Sequence, residues 1–383
     1  MGSASCKKSH IYWLDAIRFA AAVMVVFFHL SWQQADARIG FDPGWVGVEI
    51  FFVISGFVIM GSAINVTPID FLERRFARLY PAAIACALIN YPVIYPFAAL
   101  ASAHDLHVGA SLRELLDSML LLRGPFMVSA LWTLPIELGF YVLIVAMLVC
   151  KWIARATTLA GVLIVWSGLY IVPFALTEYA IGPLHVLPLG IGLLNLTMLR
   201  HGCFFGVGIL LWQMLNHTPR IKDWFLLALG MVLGWLEIIA RAAEVAPSYA
   251  RPVDVAALAG AAVTTFSMAV FAIWASVRLN GPLRPGPGVR AILRQIGLMS
   301  YPLYLMHEGV GGVAFSLMRR NGYGQGSALL CGLALTLLAS LLVVQALEPW
   351  LRRRLLKVLH PVLERLTENP AVAQTLGKFT ART

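Results

Sequence analysis

The 383 residues predict an all-α integral membrane protein, a bundle of about ten transmembrane helices with both termini cytoplasmic. Three observations carry that prediction. Hydrophobic residues make up 60% of the chain and charged residues 13%; soluble domains carry about 25% charged residues, so lipid must solvate most of this chain. Apolar runs of membrane-crossing length, roughly 20 residues each, recur at 11–32, 44–64, 80–101, 130–150, 157–177, 187–215, 223–242, 254–276, 297–317 and 327–348. With the N-terminus inside, loops and tail on that side hold twenty of the 29 basic residues against seven outside, with Arg18 and Arg200 inside spans. That bias is the positive-inside signature, and the pair Arg319 and Arg320 is its exception.

Taken in order, the first run follows Lys7 and Lys8 and is interrupted by Asp15 and Arg18; with no convincing cleavage site after it, it is expected to be retained rather than removed as a signal peptide. The second run carries Glu49 near its start. The third follows the basic segment Phe71–Pro81. The loop 102–129 contains a helix-like stretch, 112–122, expected in the outer interface. The fourth run carries Glu137, and the sixth is interrupted by Arg200 and His201, so it is tilted or broken. The ninth carries His307 and Glu308. Residues 1–350 form the transmembrane domain and 351–383 a basic, amphipathic cytoplasmic tail. No internal repeat is evident.

The net charge of +10 follows from topology, so no nucleic-acid partner is expected. The five cysteines are scattered without metal-ligand spacing, and no metal is expected.

Ionisable side chains inside a span are costly and mark functional candidates. Arg18 and His29 are eleven residues apart, about 1100° of helix, which is ~20° from three whole turns. They therefore share one face, ~16 Å apart along the axis. The plainer alternative pairs Arg18 with Asp15 and leaves His29 as a cap. By direction of chain travel, His29, Glu49 and Glu137 all fall in the outer half, suggesting one buried polar site. A histidine beside a carboxylate is the arrangement for proton abstraction; the alternative is a hydrogen-bonded cluster that only holds the bundle. On the inner side, Arg75 and Arg78 share a helical face beside Arg74. Guanidinium groups suit phosphate, although juxtamembrane arginines also serve topology and anionic lipid.

Five strings resemble the membrane acyltransferase-3 family: Asp15-Ala-Ile-Arg-Phe-Ala-Ala through His29, Gly47-Val-Glu-Ile-Phe-Phe-Val-Ile-Ser-Gly-Phe57, the Arg75/Arg78 segment, Trp132-Thr-Leu-Pro-Ile-Glu-Leu-Gly-Phe-Tyr141, and Ser300-Tyr-Pro-Leu-Tyr-Leu-Met-His307. They occur in family order from the first span to the ninth. Phe19 stands where glycine is common, and Pro135 where serine is frequent. The resemblance implies a ten-helix core that moves acyl groups, usually acetyl from acetyl-CoA, onto extracytoplasmic glycans or related molecules at the bacterial inner membrane. It implies His29, Arg18 and Glu137 as catalytic residues and Arg75 and Arg78 as the acyl-CoA site, to which the adjacent Arg74 is expected to add its charge. Glu49, Tyr304, His307 and Arg200 are the expected acceptor-side residues.

On that reading acyl-CoA docks from the cytoplasm, His29 takes the proton of an acceptor hydroxyl, Glu137 holds the His29 ring, and Arg18 or Arg200 stabilises the oxyanion. His29 would lie about 25 Å along the helix from its inner end, so the donor must reach deep into the bundle. The rival from another class is a transporter or flippase of a glycan or lipid-linked substrate. Within the enzyme class, a small diffusible acceptor or a succinyl donor stays open.

Overall fold

The computed structural model describes residues 10–97, 111–121, 126–179, 196–280 and 282–368, and all of its regular structure is helical. In chain order the helices are α1 Tyr12–Ser31, α2 Gly47–Ala63, α3 Pro68–Ile94, α4 Leu112–Leu120, α5 Thr133–Val149, α6 Ala156–Tyr179, α7 Gly202–Asn216, α8 Ile221–Val245, α9 Val255–Arg278, α10 Pro287–Met306, α11 Gly312–Arg320, α12 Gln325–Leu342 and α13 Glu348–Glu368. Short 3₁₀ turns, Asp42–Val46 and Ser129–Trp132, lead into α2 and α5. A π turn, His307–Gly311, joins α10 to α11, and another, Val343–Leu347, joins α12 to α13.

Eight of these helical stretches are long and apolar enough to cross a membrane: α1, α2, α3, α5, α6, α8, α9 and the joined α12–α13. The protein is an all-α, multi-pass membrane protein. The remaining two expected spans differ in form. α7 has fifteen residues, and residues 187–195 of that expected span lie outside the described residues. The ninth span is part of a continuous helix from Pro287 to Arg320, with Arg290, Arg294, Arg319 and Arg320 near its ends. α12–α13 runs unbroken through the expected domain boundary at Leu351.

Glycine sets the centre. A side chain at Gly56 would strike the Phe205 carbonyl, and one at Gly208 the Val53 carbonyl, so α2 and α7 pack backbone against backbone, as small residues permit in lipid. Gly44 and Gly47 bring the start of α2 against the carbonyls of Met24 and Ala21 in the same way, and Gly297 brings α10 onto Asp15 of α1. α6, α8, α9 and α12 turn exposed Val162, Leu169, Phe225, Met268, Phe271 and Leu338 outward, the apolar surface that lipid requires.

α4 packs along α3. A capping box of Ser111 and Glu114 starts it, Leu115, Ser118 and Leu121 are buried, and the Tyr80 hydroxyl donates to the Leu120 carbonyl at 3.3 Å. Ser118 accepts from the Met127 amide at 2.9 Å, which turns the chain back toward α5. Leu112, Leu116 and Leu120 remain exposed on the opposite face. The helix thus lies along α3 with leucines on both faces. Arg319, half of the charge exception, is neutralised by Asp36.

Replacing Gly208 by Leu is expected to lower stability by about 1–3 kcal/mol through overpacking. Gly260→Ala in α9, where nothing lies within 4 Å, is expected to be neutral or to stabilise by about 0.5–1 kcal/mol. Thermal melts of the detergent-purified variants check both.

Candidate active site

One face of α1 organises the site. Half-buried Arg18 opens into a small inner cavity of about 70 Å³, also lined by Val48, Ser55, Arg78, Glu137 and Tyr304. Three turns further along, His29 opens into an outer cavity of about 350 Å³, lined by Trp32, Trp45, Glu49, Ser129, Trp132, Arg241, Glu244 and Glu308 among others. Val48 walls both. Asp15 is bonded to His10 at 2.5 Å while Arg18 faces the inner cavity, so the expected shared face of Arg18 and His29 is realised. A third cavity, of about 250 Å³, reaches His29 from the side of Gln33, Gln34, Ser316, Arg319 and Arg320.

His29 Nδ1 lies 3.1 Å from the Val25 carbonyl. That bond assigns the proton to Nδ1 and leaves Nε2 as the basic nitrogen, 3.4 Å from Glu308 Oε1. Glu308 is itself fixed: its Oε1 accepts from the Ser129 hydroxyl at 2.5 Å and its Oε2 from the Ala130 amide at 3.2 Å. His307 completes the cluster. Its Nδ1 donates to the Tyr304 carbonyl at 2.6 Å, its ring stands 4.8 Å from that of His29, and its buried Nε2 makes no hydrogen bond and lies 4.0 Å from Glu308 Oε1. The Tyr304 hydroxyl donates to the Ala130 carbonyl at 3.0 Å. The π turn explains why the neighbours His307 and Glu308 both face the site, because one extra residue in the turn re-aims side chains and frees carbonyls. Asn90 of α3 donates to the Leu305 carbonyl at 3.0 Å just before it.

Glu137 does not hold the His29 ring. The chain that meets Glu308 beside the histidines is Ser129-Ala130, and Glu137 lies eight residues on, about 12 Å deeper. There it lines the inner cavity with Arg18 and Arg78 and accepts a hydrogen bond from Tyr141. Pro135 sits in the first turn of α5, where a proline is tolerated.

The arginines divide by task. Arg75 is buried, donates to Ser62, and lies over the rings of Phe71 at 5.2 Å and Tyr141 at 5.7 Å. Its guanidinium is therefore turned into the protein. Arg74 and Arg78 are exposed, and only Arg78 of the three reaches the inner cavity. Arg200 is not available to an oxyanion: it bonds Glu237 at 2.8 Å and Glu244 at 2.7 Å and lies 4.6 Å from the Phe174 ring centre. Glu49 is buried at the edge of the outer cavity, grouped with His201 and Glu237.

Sequence reasoning missed Ser129 and Glu237, and it registered Glu308 only as one intramembrane charge among several. Glu237 had a legible signal, an acid four residues before Arg241 inside an apolar run. Ser129 had none.

A family model described as an acyltransferase domain matches residues 11–345. Among curated proteins, an O-acetyl transferase of Shigella phage Sf6 is 32% identical over 149 residues, covering 34% of this chain and 43% of the phage protein. Protein 2 in the picA locus of Rhizobium radiobacter is 31% identical over 190 residues, 43% of this chain and 94% of that protein. An acyltransferase of Streptomyces mycarofaciens is 30% identical over 145 residues, 33% of this chain and 36% of its own length. The matched stretch thus spans less than half of the phage and Streptomyces proteins. No solved structure matches the chain. The family match covers most of the sequence, and the chain belongs to this acyltransferase family.

Arg200→Leu is expected to cost about 3–5 kcal/mol, because it leaves the fully buried Glu237 carboxylate uncompensated. A collapse in folded yield or melting temperature checks this; a stable Arg200→Leu protein defective only in activity would contradict it.

Proposed function

We propose that this member of the acyltransferase family is a membrane O-acyltransferase, carrying an acyl group, acetyl first, from cytoplasmic acyl-CoA to a hydroxyl of an extracytoplasmic polysaccharide or lipid-linked glycan. The observation that carries the proposal is the pair of cavities on one face of α1, with Arg18 in the inner, His29 in the outer, and Val48 as their common wall. On this reading the helical core comprises ten spans with cytoplasmic termini in a bacterial inner membrane. The domain of residues 1–350 does the chemistry, and the basic tail 351–383 lies along the inner surface.

Acyl-CoA docks at the inner end. Exposed Arg78 and Arg74 offer guanidinium groups to its phosphates, while Arg75, held by Ser62, Phe71 and Tyr141, braces the segment that presents them. The pantetheine arm enters past Arg18 and Glu137, and the thioester reaches the level of Val48 and Tyr304.

The acceptor arrives in the outer cavity, where the indoles of Trp32, Trp45 and Trp132 offer flat apolar faces to a sugar ring and Glu49 and Glu244 accept from its hydroxyls. His29 Nε2 takes the proton of the attacking hydroxyl, and that oxygen adds to the thioester carbonyl. Collapse of the tetrahedral intermediate breaks the carbon–sulfur bond. The thiolate leaves with the proton returned by His29, so the products are an O-acyl ester and CoA. Glu308 faces the nitrogen that becomes positively charged, so it stabilises the imidazolium and fixes the ring, the task the sequence had given to Glu137. His307 packs beside the same ring, 4.8 Å from it and 4.0 Å from Glu308 Oε1. Arg18 stands ~16 Å from His29 along α1 and serves the donor arm rather than the oxyanion. The phage relative's description as an O-acetyl transferase supports oxygen as the acceptor atom and acetyl as the group moved. Family membership favours transfer over transport.

His29→Ala is expected to reduce labelled acetyl transfer from acetyl-CoA by about 10²–10⁴-fold with the folded yield retained; wild-type turnover in that variant would remove the proposed base. Glu308→Gln is expected to lower kcat about 10–100-fold with little change in KM for acyl-CoA, as outer-shell partners of a histidine do. Arg78→Ala is expected to raise that KM, whereas Arg75→Ala lowers melting temperature. The reverse pattern for the two arginines would exchange their roles.

A further inference from the structure

Beyond the histidine cluster, three more buried side chains converge from three helices. Glu49 of α2, His201 at the start of α7 and Glu237 of α8 are 3%, 3% and 0% exposed. One nitrogen or oxygen of each comes within 4.8 Å of the other two. Three atoms of this group, Glu49 Oε2, His201 Nδ1 and Glu237 Oε2, are buried without any hydrogen-bond partner. An unpaired buried polar atom costs about 1–3 kcal/mol, and here three occur together. The charges of this region do not cancel: the carboxylates of Glu49, Glu237 and Glu244 face the guanidinium groups of Arg200 and Arg241, leaving one negative charge in excess. A shared proton would balance that charge but can bridge only two of the three atoms. A bound cation satisfies all of them.

We infer that Glu49, His201 and Glu237 form a divalent metal site in the wall of the outer cavity. One imidazole nitrogen with two carboxylates suits zinc or manganese better than calcium or magnesium, which take oxygen sets. Closing the three ligands onto an ion at ~2.0–2.2 Å needs inward shifts of about an ångström. The surroundings are those of a ligand set held in place. Arg200 Nε bonds Glu237 Oε1 at 2.8 Å, which leaves Oε2 for the ion. The His201 ring is fixed between Phe52, at 5.1 Å, and Trp132, at 5.4 Å. Glu49 also lines the outer cavity, which gives the ion an entry path. The ligands sit on three helices far apart in sequence, so spacing gave no sign of the site. The inference stands independently of the proposed acyl transfer.

The test is metal content. Full-length protein purified in detergent without chelator is incubated with zinc or manganese chloride, desalted, and read by inductively coupled plasma mass spectrometry and by thermal melting. Wild type is expected to retain about one equivalent and to gain melting temperature with metal. Glu49→Gln, His201→Gln and Glu237→Gln are each expected to lose at least about ten-fold in affinity and to lose the metal-dependent thermal shift. His29→Ala is expected to retain the metal. Wild-type protein that binds less than a tenth of an equivalent and melts identically with and without metal would overturn the site. So would metal that survives the His201→Gln and Glu237→Gln changes but disappears with His29→Ala, since that places the ion in the histidine cluster.

Discussion

Everything in this bundle answers to one constraint, the burial of an arginine and a histidine on a single face of α1. Charged groups at membrane depth cost a few kcal/mol each even on insertion scales, so the bundle must supply polar company along three turns of that helix. α2 approaches closely enough, through Gly44 and Gly47 against α1 carbonyls, to form the wall between the two cavities with Val48. The 3₁₀ turn before α5 presents Ser129 to the outer cluster, and α5 itself presents Glu137 to the inner cavity. α10 brings Tyr304 to the inner cavity, and its π turn carries His307 and Glu308 to the outer.

Most of the remaining charges are paired within the protein. Arg200, Glu237, Glu244 and Arg241 form a network of ion pairs between the start of α7 and the end of α8. Arg75 is taken up by Ser62 and two aromatic rings. Arg75 and Arg200, which look functional in sequence, are thus engaged within the protein, while exposed Arg78 reaches the inner cavity. The same division explains why the outer cavity is roomy while the inner one is narrow: the outer cavity lies among indoles and ion-paired helices, the inner among close-packed aromatic and aliphatic residues of α2, α3 and α5.

Much of the fold was legible because lipid leaves few choices. Runs of some twenty apolar residues at 11–32, 130–150 and 254–276 are helices within three residues of their expected ends, and Arg18 and His29 share a face because helical geometry alone fixes that. The partners were not legible. Depth was inferred from where each carboxylate stood in its span, and that argument assigned Glu137 to His29. It could not register the 3₁₀ turn at Ser129–Trp132, which puts backbone and hydroxyl, not Glu137, at the height of the histidine. Nor could it register the π turn that aims Glu308 inward. Arg200 invited a catalytic role because its counter-ions lie 37 and 44 positions away, on another helix.

The central claim is that donor and acceptor meet from opposite sides of the membrane, along the face shared by Arg18 and His29. Proteoliposomes with a glycan acceptor sealed inside and labelled acetyl-CoA added only outside test it most directly. The account expects label on the enclosed acceptor, with the vesicles intact and acetyl-CoA remaining outside. Transfer that occurs only when acceptor and acetyl-CoA share one compartment would contradict it.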